Sequence, residues 1–368
     1  MKKRKLHLPA CVVALSGMCV ATGCGNSKGG DSERTITIDL EEAVAENGAD
    51  ALQQADWDVR LTALEETDST LLEDIRIFAV SDSALWGYER GVLYRFSRDG
   101  KCLGRIARRG EGPEEYLGIL DASVLPGGDI AVLDFTRGCI NEYSPDGIWR
   151  RRNPGRFGGI IPDADGLVAI SMPDGADKPM MAYRIDDSLN TVDSLVISKG
   201  IDTSKGFINI PTLQRAVGKP CVMISDTLRS IGQDNVLTPA IVFKTGKLSM
   251  PDDVAADFSR RDERGNYISG LYSVVWNDLA FVSYAYNDRM YFDIWNLPES
   301  RLCYRNTVGA PEDAYGFPLE GPGGEKYNVW PTMTIGDNLV GVVKNQFQPS
   351  VDDDNDSNPK VFVVRSGK

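Results

Sequence analysis

Charged side chains crowd into one short stretch of this chain, Ala107-Arg-Arg-Gly-Glu-Gly-Pro-Glu-Glu-Tyr116. Arg108 and Arg109 offer guanidinium donors, Glu111, Glu114 and Glu115 offer carboxylate acceptors, and Tyr116 adds a ring with a hydroxyl, so the stretch is a candidate ligand face. The same residue types also suit a purely structural role, in which Arg108 or Arg109 pairs with Glu111 or Glu115 and Gly-Pro sets the turn. Glycine and proline in loops report backbone shape first, which favours the structural reading. A second cluster, Asp352-Asp-Asp-Asn-Asp-Ser-Asn358, places oxygens at alternate positions as calcium loops do. It lacks the central Gly and bidentate Glu of an EF-hand, so a solvated acidic hairpin is expected, with calcium as the alternative. Trp86, Trp276, Trp295 and Trp330 could stack on sugar rings, but in alternating strands a tryptophan packs between sheets.

What is missing restricts the chemistry more sharply. The single histidine is His7, in a leader segment. A body without histidine cannot run a Ser-His-Asp or Cys-His nucleophile, nor a His-ligated zinc or iron site. No catalytic, cofactor-binding or metal residue is therefore assigned.

The leader itself is legible. Lys2-Lys-Arg-Lys5, an apolar run from Leu8 to Val20 and Ala21-Thr-Gly-Cys24 form a basic head, a short hydrophobic core and a small-residue cleavage site, as in a secretory signal. The run is too short for a stable membrane span. The Cys after Thr-Gly resembles the lipobox of bacterial lipoproteins, with Ala21 where Leu or Val is commoner. The resemblance implies cleavage before Cys24, acylation of that cysteine and tethering to a membrane, and Gly25 after it implies the outer membrane. Ordinary cleavage to a free periplasmic protein is the alternative. The chain thus divides into a signal peptide (1–23), a flexible Gly-Ser tether (24–34) and one folded body (35–368). The whole chain carries a net charge of −13, and loss of the four basic residues at positions 2–5 takes it to −17. Such an acidic body has no basic patch for phosphates, which excludes nucleic acid as a partner. Cys102, Cys139, Cys221 and Cys303 are far apart with no Cys-x-x-Cys spacing, and are expected mostly as small buried hydrophobes.

The elements that must position these residues are strands. Phe96-Ser-Arg-Asp-Gly100 and Tyr143-Ser-Pro-Asp-Gly147 repeat at an offset of 47 residues, inside the roughly 40 to 50 residue period of four-stranded propeller blades. Apolar residues alternate by two around them. The first blade reads as Asp74–Val80, Ala84–Tyr88, Val92–Phe96 and Lys101–Ile106, and the second as Gly118–Val124, Ile130–Phe135, Cys139–Tyr143 and Gly147–Arg150. The third is marked by Leu167–Ile170, Ala182–Ile185 and Val192–Val196, and the least regular fourth by Cys221–Ile224 and Ala240–Phe243. The fifth shows Leu271–Trp276, Leu279–Tyr284, Arg289–Ile294 and Arg301–Tyr304. The sixth has only Asn328–Thr334, Leu339–Val343 and Lys360–Arg365. A ring left open exposes strand edges, so an N-terminal strand, Thr35–Leu40 or Val59–Leu64, must close it. The Ala- and Glu-rich stretch between them could form a short helix.

Arg109-Gly-Glu-Gly-Pro-Glu-Glu-Tyr116 resembles the Gly-x-Gly-Pro-Gly-Glu-Tyr loop of the six-bladed β-propeller lipoproteins of Bacteroides and relatives, which are similar to NHL-repeat and TolB-type propellers; Glu114 stands where that pattern has Gly. Leu64-Glu-Glu-Thr-Asp68 ahead of Leu71–Ile75, and Asp226-Thr-Leu through Thr238-Pro-Ala-Ile241, extend the resemblance over most of the chain. It implies an all-β, six-bladed propeller whose last blade is completed by an N-terminal strand. The expected function is an envelope-anchored binding or scaffold module for a glycan, peptide or protein partner, with its membrane contact through the lipid. The alternative is a divalent-cation-dependent, lactonase-like hydrolase or lyase working through carboxylates, a reading by fold analogy.

Overall fold

The two Asp-Gly repeats fall at equivalent places, the turn between the third and outermost strands of consecutive sheets. Ser97 Oγ accepts from Lys101 N and Ser144 Oγ from Ile148 N, both at 3.0 Å. Gly100 and Gly147 sit at φ of 91° and 87°. A Cβ there would come within 1.9 Å of the Ala63 carbonyl oxygen or 2.5 Å of Ala107 N, so glycine is required at both.

The computed structural model describes residues 35–46, 52–67, 70–201, 210–216, 218–310, 313–343 and 358–367. The signal segment, Cys24, the tether and residues 352–357 of the acidic run lie outside the described residues. The unit beginning at Thr35 is a six-bladed β-propeller. Each blade is an antiparallel sheet whose strands follow in chain order from the channel outward, except where the N-terminal segment contributes. Innermost to outermost, blade one runs from Arg76–Val80 to Cys102–Arg105, blade two from Ile119–Val124 to Trp149–Pro154, and blade three from Phe157–Asp163 to Thr191–Ser198. Blade four runs from Thr212–Ala216 to Leu237–Lys244, blade five from Ser269–Trp276 to Arg301–Val308, and blade six from Met333–Ile335 to Lys360–Ser366.

The ring is closed by Trp57–Ala63, which pairs antiparallel with Lys360–Ser366 in the register Trp57↔Ser366 to Ala63↔Lys360. The other N-terminal candidate has a different place. Ile36–Asp39 lies parallel on Leu237–Lys244 as a fifth strand of blade four, burying Ile38. Asp39 then caps the short helix Leu40–Ala43 by accepting from Glu42 N at 3.0 Å.

The sequence reading of blade six needs one correction. Its innermost strand is Met333–Ile335, not Asn328–Thr334. Asn328 and Val329 belong to a separate hairpin, Phe317–Glu320 with Lys326–Val329. Pro331 separates the two because it has no N–H for a ladder. Phe157–Asp163, Thr212–Ala216 and Thr227–Ile231 are strands that the hydrophobic pattern did not mark.

Apolar burial is divided among six clusters, one at each junction between neighbouring blades around the ring. The second strand of blade two, Ile130–Asp134, shows what this demands: all five residues are buried, Ile130 and Val132 toward blade one and Ala131 and Leu133 toward blade three. Trp276, Trp295 and Trp330 are buried in such junctions, as alternation leads one to expect. Cys102, Cys139, Cys221 and Cys303 lie on four different blades and are unbridged; all but Cys102 are buried.

Candidate functional site

The 107–116 loop joins the outer strand of blade one to the inner strand of blade two. Its charged residues have distinct neighbours. Glu115 turns inward: Oε2 accepts from Gly112 N at 2.8 Å, and Oε1 lies 3.3 Å from Arg108 Nε. Arg109 Nε donates to the Leu117 carbonyl at 3.1 Å, and the Glu114 carbonyl accepts from the Tyr143 hydroxyl at 3.1 Å. Tyr116 is buried between blades one and two, edge-on to Tyr143 at 6.4 Å. Burial pushes its hydroxyl pKa up. Glu111 is exposed.

Blade two grips this loop from below. Arg137 Nη2 donates to the Gly110 and Gly112 carbonyls at 3.0 Å each, and Arg152 Nη2 to the Pro113 carbonyl at 2.7 Å. The buried Asp134 carboxylate accepts from Leu117 N, Gly118 N and Arg137 N. The loop glycines serve close packing. A Cβ on Gly110 would lie 2.1 Å from Glu115 Oε2. Neither Gly110, Gly112 nor Glu114 has a positive φ; Ala107 does, at 58°. Glu114 therefore replaces glycine without backbone strain.

A second set of polar residues gathers in the central channel, where the six inner strands line a cavity of about 100 Å³. Arg76 of blade one and Asp121 of blade two face each other there, Nη2 to Oδ1, at 3.5 Å. Asp121 is mostly buried and also accepts from Ala122 N at 3.0 Å and Ile160 N at 3.1 Å, touching blade three. Tyr272 of blade five donates its hydroxyl to the Thr332 carbonyl at the start of blade six. Ser273 Oγ lies 3.2 Å from Gln214 Oε1 of blade four. Thus all six blades contribute to one cavity.

Its electrostatics are unusual for so acidic a chain. Burial raises the Asp121 pKa, and nearby Arg76 only partly opposes this. Burial works against the Arg76 charge most strongly, yet Asp121, Tyr88 and Tyr272 outweigh it and hold the guanidinium pKa above its ordinary value. Tyr88 and Tyr272 are both raised by burial. The Arg76 side chain remains about half exposed, so its remaining donors face the channel. The arrangement can hold a small polar group by charge and hydrogen bonds. Ser273 meets an amide rather than a base, and among the described residues no three His, Cys, Asp or Glu side chains come together as a metal site would need.

Sequence reasoning did not single out the channel residues. One signal was present: Arg76 and Asp121 are charged residues inside inner strands otherwise rich in apolar side chains. Of the acidic run, Asn358 is described, and it is buried. Its Oδ1 accepts from Leu72 N at 2.8 Å, and its Nδ2 donates to the Glu65 and Thr70 carbonyls at 2.7 and 2.6 Å.

The family described as "Domain of unknown function (DUF4934)" matches residues 35–363, almost the whole propeller. The chain belongs to this DUF4934 family. Among solved structures it is similar to a protein of Bacteroides fragilis NCTC 9343 described as exported, at 15% identity and a TM-score of 0.66, over 90% of this chain and 99% of that one. It is also similar to a DUF4221 family member from Bacteroides vulgatus, at 9% identity and a TM-score of 0.52, over 86% of this chain and 100% of that one. At these identities the likeness is one of fold. No curated protein matches the chain.

Proposed function

We propose that this DUF4934 chain is an envelope-anchored lipoprotein that binds a glycan, peptide or protein partner and does not transform it. The observation that carries the binding reading is the channel cavity, where Arg76 presents donors beside Asp121 and the hydroxyl of Tyr272 while Ser273 lies beside the Gln214 amide. Convergent polar groups in a lined cavity are what small-ligand recognition requires. Among the described residues the Ser273 hydroxyl has an amide rather than a base as its hydrogen-bond partner, which favours binding over nucleophilic chemistry.

The anchoring reading rests on Ala21-Thr-Gly-Cys24 and the basic, then apolar, leader. Gly25 supports retention at the outer membrane, and the loop at 109–116 supports kinship with NHL- and TolB-type propeller lipoproteins. The fold likeness to an exported Bacteroides fragilis protein is in keeping with this address.

One experiment tests both parts. The full chain, expressed with its leader, is partitioned in detergent and then offered a panel of glycans and peptides while products are monitored. Partition into detergent that Cys24→Ser abolishes, and binding without turnover that Arg76→Gln weakens by about tenfold, are expected. A protein that stays in the aqueous phase sinks the anchor, and conversion of a panel member sinks the binding-only role.

A further inference from the structure

Blade five carries a second recess, a cleft of about 510 Å³ on the rim where the connections between blades run; its lining shares no residue with the channel. The strands of the blade supply the floor through Ala285, Met290 and Val308. One wall is the segment ending at Tyr267, and the other is formed by Gly309, Ala310 and Tyr315. The first wall is fastened to a turn of blade five, and the second is braced within itself. Asn287 N donates to the Gly265 carbonyl at 2.8 Å, and Asp313 Oδ2 accepts from Gly309 N and Ala310 N at 2.8 and 2.9 Å.

Three tyrosines, Tyr267, Tyr286 and Tyr315, line this cleft, and each is partly exposed. Between them the turn at Asn287 and Asp288 is held at φ of 51° and 58°, leaving both side chains exposed. Arg289 follows in register with Tyr286, its side chain exposed and, among the described residues, its guanidinium without a hydrogen bond. Phenol rings offer an apolar face with a polar edge, which suits the C–H face of a sugar ring. A carboxylate, an amide and a guanidinium side by side offer acceptors and donors together, as vicinal hydroxyls require. The lining carries two guanidinium groups, Arg264 and Arg289, offset by Asp288 and by nearby Asp313, whose carboxyl is held low chiefly by the Gly309 and Ala310 amides. An anionic ligand therefore gains no net attraction.

We infer that this cleft binds a neutral oligosaccharide, with Tyr267 and Tyr286 against sugar faces and Asp288 and Arg289 on hydroxyls. The inference rests on the reading of the chain as a binding module and gives that module a ligand class and a second site.

The test is calorimetric titration of the full chain in detergent with malto-, cello-, xylo- and mannohexaose. Binding of at least one of them, weakened about tenfold or more by Tyr267→Ala and by Arg289→Gln but unaffected by Lys178→Ala on the exposed edge of blade three, is expected. Arg289 is exposed and Asp288→Asn keeps a residue that tolerates positive φ, so Arg289→Gln and Asp288→Asn remain informative if the tyrosine variant does not fold. Binding lost only in Arg76→Gln overturns the cleft and leaves the channel reading standing. No binding by any hexaose, or binding to peptides alone that the cleft variants abolish, overturns the ligand class while keeping the binding module.

Discussion

Asp293 and Arg305 form a doubly bonded pair inside blade five, Arg305 Nε to Asp293 Oδ1 at 2.8 Å and Nη2 to Oδ2 at 2.6 Å. Both side chains are almost fully buried. The Tyr284 hydroxyl adds a bond to Asp293 Oδ2 at 3.0 Å, and Arg305 Nη1 donates to the Ala43 carbonyl at the end of the N-terminal helix. The pair therefore ties the N-terminal segment on blade four to blade five. Removing one partner strands a buried charge. Arg305→Ala should cost about 3–5 kcal/mol in urea unfolding, and the double variant Asp293→Leu, Arg305→Met should recover part of that. Equal losses in the single and double variants would count against a charge penalty.

Asn358 acts as a buried amide plug. It satisfies Leu72 N and the carbonyls of Glu65 and Thr70, joining the start of the last strand of blade six to the segment that leads into blade one. Asn358→Ala leaves those groups without partners, and a loss of about 2–4 kcal/mol is expected. Asn358→Asp should be similarly poor because a carboxylate cannot donate to the two carbonyls. Thermal melts of both variants within about 1 °C of the parent would remove this role from the residue.

At the 107–116 loop, two substitutions should separate packing from charge. Gly110→Ala places a methyl group on the Glu115 carboxylate and displaces it from Gly112 N, with an expected cost of about 1–3 kcal/mol. Arg108→Ala removes only a pair whose arginine is 85% exposed, and should change stability by under about 1 kcal/mol. Denaturant midpoints decide it, and the reverse order would show that the ion pair governs the junction.

The channel carboxylate has a signature in pH. Asp121 has a raised folded pKa because of burial, so the folded state holds its proton more tightly than the unfolded chain. Its titration therefore favours folding at low pH, and this contribution is lost as pH rises from the unfolded value near about 4 through the raised folded value. Stability of the parent relative to Asp121→Asn should fall across that interval. Urea melts at a series of pH values check this; a difference that is flat, or that grows with pH, would mean that Arg76 dominates the site.

Several parts of this fold were legible because they depend on neighbours along the chain. The Asp-Gly repeats, the alternation by two and the shortfall in blade six all led to six blades and a borrowed strand. Legibility failed where local cues conflict with packing. Gly158 and Gly159 obscure the inner strand of blade three, and Pro331 sits inside a run that otherwise reads as one strand. The loop at 107–116 was visible by its composition, but its geometry lies in Arg137, Arg152 and Asp134, which belong to the next blade.

From residue order alone came the propeller, the number of sheets and the need for an amino-terminal strand to complete the ring. The three-dimensional arrangement decided that Trp57–Ala63 fills that place while Ile36–Asp39 lies on blade four. It also brought Arg76, Asp121 and Tyr272 into one channel. Strand and turn preferences act over a few residues, whereas partners from distant parts of the chain meet only when circular closure fixes which face of each inner strand points to the axis.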